Sequence, residues 1–127
     1  MILKFVAHSY RVLKIAHRFG WLPGARYTNL RDLRKCEQVG FIDIEWANYS
    51  FRRHLEAVKA TRPLLTVAMD VINARKLPAI LDQALELSLY CNRVVVVPKH
   101  LSMANKLDTL IPKQFILGYS VPTRYGG

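Results

Sequence analysis

The chain has 127 residues, with 19 Lys and Arg against 9 Asp and Glu, a formal charge of +10, and 51% hydrophobic residues. An apolar fraction of that size excludes a disordered chain, and the length fits one domain or part of one. The charge therefore lies on a folded surface and attracts polyanions, with nucleic acid, phosphorylated metabolites and anionic lipid all admissible.

In chain order, residues 3–7 predict a first strand, followed by a helix with Ser9 as N-cap, Val12, Leu13, Ile15, Ala16 and Phe19 as its apolar positions and Gly20 as its stop. Residues 21–35 make a long first crossover. It reads either as a Pro23-Gly24 turn with a solvated helix, or as aromatics interleaved with Arg26, Arg31, Arg34 and Lys35, a composition that tracks a phosphate backbone and offers rings for base stacking. Residues 41–45 predict the second strand. Asn48 or Ser50 caps the next helix, which carries Phe51, Leu55 and Val58 and ends at Pro63. Residues 64–69 are the third strand, and residues 75–90 give the clearest helix, with an apolar stripe from Leu77 to Leu87 and Pro78 tolerated in its first turn. Four consecutive valines, Val94 to Val97, predict a fourth strand covered on both faces. Ser102 starts a short helix using Met103, Leu107, Leu110 and Ile111, and residues 115–119 are the fifth strand.

Strict β-α alternation implies right-handed crossovers and an all-parallel sheet with strands neighbouring in chain order. Taking strand starts at residues 3, 41, 65, 93 and 115, the spacings are 38, 24, 28 and 22 residues, near the roughly 31 residues per unit of an eight-fold barrel. A doubly wound sheet has similar spacing but normally a glycine-rich first turn, and His8-Ser9-Tyr10 follow the first strand instead. The expected fold is thus α/β: a parallel β-α repeat forming the N-terminal portion, about five strands, of a TIM-like (β/α)8 barrel. Residues 1–127 are expected to be one incomplete barrel domain, completed by its missing half or by a homo-oligomer. No apolar run approaches the roughly 20 residues of a membrane span, and the first eight residues lack a basic start with a long apolar core, so a soluble, cytoplasmic protein with no membrane partner is expected. Cys36 and Cys91 read as reduced structural thiols, and the four histidines lack metal-ligand spacing, so neither metal nor cofactor is expected. His17 and His54 read as surface or packing residues.

Ligands of parallel α/β folds bind at the carboxyl ends of the strands. That rule selects His8 and Ser9, Glu45 and Trp46, Asp70, Lys99 and His100, and Ser120, Thr123 and Arg124. Each has a plainer alternative. Asp70 can cap the following helix, Glu45 can pair with Arg52 or Arg53, and Lys99 and Arg124 can be solvated surface. Asp70 stands out because an acid closing an apolar strand faces the rim where catalysts sit.

Residues 66–70 (Thr66-Val67-Ala68-Met69-Asp70) and 115–123, with the stretches 5–10, 20–32, 40–46 and 96–99, resemble an uncharacterised family of phage and bacterial proteins related to tRNA-guanine transglycosylases and deazaguanine DNA-modification transglycosylases. The resemblance spans essentially the whole chain. It implies a barrel glycosyltransferase that replaces guanine in DNA or tRNA by a 7-deazaguanine base, so that nucleic acid and a deazaguanine base are the partners. Asp70 would be the base-contacting acid, and Gly118, Tyr119 and Ser120 would contact the base. The family's nucleophilic aspartate lies on a later strand, and the zinc site of the tRNA enzymes has no counterpart here. The alternatives from other classes are a non-catalytic nucleic-acid-binding or partner-binding module, and a barrel enzyme acting on a small phosphorylated metabolite through Lys99 and Arg124.

Overall fold

The computed structural model describes residues 2–99 and 110–118. Six strands alternate with helical segments: β1 (Phe5–Val6), α1 (Tyr10–Arg18), β2 (Leu22–Arg26), a 3-10 turn at Arg31–Leu33, β3 (Phe41–Asp43), α2 (Phe51–Thr61), β4 (Leu65–Val67), a 3-10 turn at Ala74–Lys76, α3 (Leu77–Ser88), β5 (Arg93–Val96) and β6 (Ile116–Leu117). All neighbouring pairs are parallel and the sheet order is β1-β2-β3-β4-β5-β6. Among the described residues no strand inserts between earlier ones, so their winding does not reverse as it does in a doubly wound sheet. Among the described residues, no helix is long and apolar enough to cross a membrane.

The first crossover is the place where expectation and structure part. Residues 22–26 are a strand, not a Pro-Gly turn or a helix. Pro23 stands second in that strand, before the residues paired with β3, and its carbonyl accepts from the Gly40 N–H at 2.7 Å. Gly24 is required by close approach. A Cβ there would lie 2.9 Å from the Phe41 carbonyl oxygen of the paired strand, a backbone atom with no room to move.

The helices form where the sequence caps them. Ser50 accepts from the Arg53 N–H at 3.3 Å to start α2, and Arg62, at φ +47°, ends it before Pro63. Pro78 sits in the first turn of α3, which buries Leu77, Ile80, Ala84 and Leu87 at helical spacing. Ser9 occupies the N-cap position of α1 without making the cap hydrogen bond. Asp32 supplies it from the 3-10 turn, accepting from the Tyr10 N–H at 3.2 Å. The helix expected from Ser102 and the outer part of the last strand, including Tyr119, lie outside the described residues, although Ile111 and Phe115 join the buried core.

The two faces of the sheet are unequal. Ile42, Ile44, Thr66, Val94 and Val96 are wholly buried. The Thr66 hydroxyl meets His54 of α2 at 2.8 Å, so this row faces the helices. Thr66 donates to the Ile42 carbonyl (2.7 Å), which leaves its oxygen to accept from His54 Nε2–H, and Tyr49 O–H then donates to Nδ1 at 2.7 Å. His54 is therefore a satisfied, neutral core histidine; burial lowers its pKa to about 4. On the opposite row Val67 is buried, while Phe5, Phe41, Leu65 and Val95 are half-buried, with the Phe5 and Phe41 rings 5.6 Å apart. Of the four valines, Val94, Val96 and Val97 are buried, which puts cover on both sides of the run, and Val95 alone is half-buried.

Candidate functional site at the carboxyl ends of the strands

Beyond β4 the backbone continues alongside β5. Ala68 N–H donates to the Val95 carbonyl (2.9 Å), Val71 N–H to the Val97 carbonyl (2.9 Å), and Lys99 N–H to the Val71 carbonyl (3.0 Å). This extension brings the Asp70 carboxylate to the Lys99 ammonium. Nζ lies 2.6 Å from Oδ2, with the Asp70 side chain 3% exposed and that of Lys99 37% exposed. The contact is an ion pair, and apart from it no donor among the described residues reaches Oδ2. Burial raises the Asp70 pKa above the usual carboxylate value; the Lys99 hydrogen bond and charge oppose the rise, and the negative charge of Asp43 adds to it. Asp70 does not cap the next helical turn. Asn73 does, its side chain accepting from the Lys76 N–H at 3.2 Å.

Lys99 Nζ also sits 5.0 Å from the centre of the exposed Trp46 ring, just past β3. Glu45 pairs with Arg26 at 3.2 Å rather than with Arg52, which pairs with Glu56, or with Arg53. Arg26 thus belongs to the strand-end rim rather than to a separate basic stretch. It borders two adjoining cavities. One, of about 190 Å³, has Phe5, Phe41 and Gly24 as an apolar floor and Asp43 at its edge. The other, of about 250 Å³, is bordered by His8, Asn29 and Asp32. His8 is exposed, and its Nδ1 accepts from the Ser9 N–H at 2.8 Å.

The remaining candidates fall elsewhere. Arg31 and Arg34 are exposed, Arg31 with Asp32 at 3.5 Å, while Lys35 and Lys14 lie 5.4 and 5.5 Å from the Tyr10 ring. They form a basic patch around the start of α1, apart from the Asp70–Lys99 pair. Gly118 follows β6 and donates to the Val96 carbonyl at 2.8 Å; a Cβ there would lie 2.5 Å from Val95 Cγ1, so this position admits glycine alone without a shift. His100, Tyr119, Ser120, Thr123 and Arg124 lie outside the described residues. Asp43 was not among the sequence candidates. Its signal was available: alternation in Phe41-Ile42-Asp43-Ile44 turns the acid away from the helices, onto a face that is otherwise apolar.

Cys36 and Cys91 are free thiols, both half-buried with raised pKa values, chiefly through burial, and Cys91 reaches about 11. Neither is an activated nucleophile. Among the described residues, no group of three or more His, Cys, Asp or Glu side chains is placed to hold a metal.

The fold and rim define an α/β protein with a parallel, one-directional sheet and a charged strand-end site. Residues 16–127 match a family of unknown function, DUF6610, and the chain belongs to that family. No curated protein and no solved structure matches it.

Proposed function

We propose that the sheet is part of a TIM-like (β/α)8 barrel and that its strand-end rim is the base site of a transglycosylase-like protein of the cytoplasm, exchanging guanine in DNA or tRNA for a 7-deazaguanine. The observation that carries this reading is Asp70: a buried carboxylate at the end of a central strand, not used as a cap, held by one lysine. The barrel part draws support from the unreversed strand order and the half-buried face opposite the helices.

The chemistry follows from what a base exchange needs. A base inside a duplex is out of reach, so the nucleotide is flipped out or single-stranded, while basic groups hold its phosphates. Arg31, Arg34 and Lys35 are the exposed cations suited to that task. The departing purine must receive a proton and the incoming one lose it. A carboxyl group whose pKa burial raises above the usual carboxylate value is suited to both transfers. A nucleophile at the sugar C1′ is also required, and in this reading it comes from outside the described strands. The test is to incubate the full-length protein with a labelled 7-deazaguanine base and either duplex DNA or tRNA. Label should enter one of the two polymers; entry into neither overturns the reading.

A further inference from the structure

The Lys99 ammonium has two neighbours of opposite character. Below it is the buried Asp70 carboxylate at 2.6 Å, and beside it, 5.0 Å away, is the ring of Trp46, which is 45% exposed. A large aromatic side chain left exposed at a charged rim offers a π-face, and here the Lys99 ammonium lies over it. The turn that carries Trp46 is tied down. Glu45 holds Arg26 at 3.2 Å and accepts from the Ala47 N–H at 3.4 Å, so the ring is presented from an anchored backbone.

We propose that Trp46 is the stacking platform for the exchanged nucleobase, and that a base seated on its ring takes the place of the Lys99 ammonium and releases it from Asp70. Every base offers a π-face, so a platform of this kind accepts both the outgoing guanine and the incoming 7-deazaguanine, as an exchange through one site requires. Release of Lys99 leaves the Asp70 carboxylate buried with no opposite charge among the described residues, facing Asp43 on β3 as a like charge, while Glu45 is paired with Arg26. The carboxylate then takes up one proton from solvent, and Lys99 keeps its own and turns to water. Binding of the guanine nucleotide, its glycosidic bond intact, thereby loads the acid that the departing purine needs; the carboxylate left by that transfer then accepts the ring N–H proton of the incoming base. The inference rests on the base-exchange reading above and adds to it the residue that recognises the base and the event that arms Asp70.

The test uses the full-length protein with the nucleosides guanosine and 7-deazaguanosine, whose glycosidic bonds are intact, as probes of the stacked base. Calorimetry in buffers of different ionisation enthalpy reads affinity and proton uptake together. Wild-type protein should bind with net proton uptake. Trp46→Phe, which keeps a ring, should bind within about threefold of wild type, and Trp46→Leu should lose roughly tenfold to a hundredfold. Lys99→Met should bind without proton uptake, since its Asp70 has no cation to lose. Trp46→Leu binding as tightly as wild type, or wild-type binding with no proton exchange, overturns the proposal. If label still enters nucleic acid in either case, the base-exchange reading stands without it; if wild-type protein neither binds the nucleosides nor transfers label, both fall.

Discussion

Asp70 and His54 are both buried and titratable, yet the molecule treats them oppositely. His54 is satisfied on both ring nitrogens, by Tyr49 and Thr66. Its pKa falls to about 4 from the ordinary 6.5. Between those values the unfolded chain therefore holds more protons, so the stability His54 contributes is complete above pH 6.5 and is lost as pH falls toward 4, by about 3 kcal/mol in all. Asp70 has its folded pKa raised, so its burial cost is relieved on acidification and returns as pH rises through that raised value. Urea unfolding at pH 7.5 and pH 5 should show a loss of stability in wild type and a smaller one in His54→Gln; equal losses would contradict the neutral-histidine assignment. Asp70, Lys99 and Glu45 were legible in the sequence because a single rule, strand ends in a parallel sheet, points at them. Their partners were not. Glu45 found Arg26 rather than a helix arginine because β2 and β3 pair with Arg26 opposite Asp43, a register that no local pattern encodes.

Among the elements, β2 is the instructive case. The first predicted spacing, 38 residues, was the longest of the four and concealed a strand whose sequence, Leu22-Pro23-Gly24-Ala25-Arg26, has no β-branched residue and contains the pair that most strongly marks a turn. What makes it a strand is tertiary. Pro23 offers its carbonyl to Gly40, and Gly24 lets the Phe41 backbone approach. Gly24→Ala should therefore cost roughly 1–3 kcal/mol, because the added methyl meets a backbone oxygen rather than a side chain that can rotate away. Thermal unfolding of that variant checks it, and an unchanged midpoint would mean the close approach is not maintained. The other strands were legible from their β-branched and aromatic runs, and α2 and α3 from Ser50, Pro63 and Pro78.

For the molecule as a whole, the unequal faces matter most. Helices bury Ile42, Ile44, Thr66, Val94 and Val96 completely, while on the other row Val67 is buried but Phe5, Phe41, Leu65 and Val95 remain half-buried. Full burial of a large apolar side chain stabilises by roughly 1.5–3 kcal/mol, so a half-covered row forgoes a substantial part of that. Residues 1–127 studied alone should self-associate, and a sharply melting monomer by sedimentation would contradict the open face. The strand order was legible because each β-α unit steps in the same direction; which side of a strand meets the helices was not, since Phe41, Ile42 and Ile44 are all apolar and local alternation alone does not tell them apart. The same topology sets Asp70, Lys99 and Trp46 on one rim, where the account places its chemistry. Its sharpest test is a crossed pair of variants of the full-length protein, read by labelled 7-deazaguanine incorporation and by thermal unfolding. Asp70→Asn should fold and abolish incorporation, while Asn73→Ala, which removes the true cap, should lose about 0.5–2 kcal/mol of stability and still incorporate. Wild-type incorporation by Asp70→Asn would contradict the account.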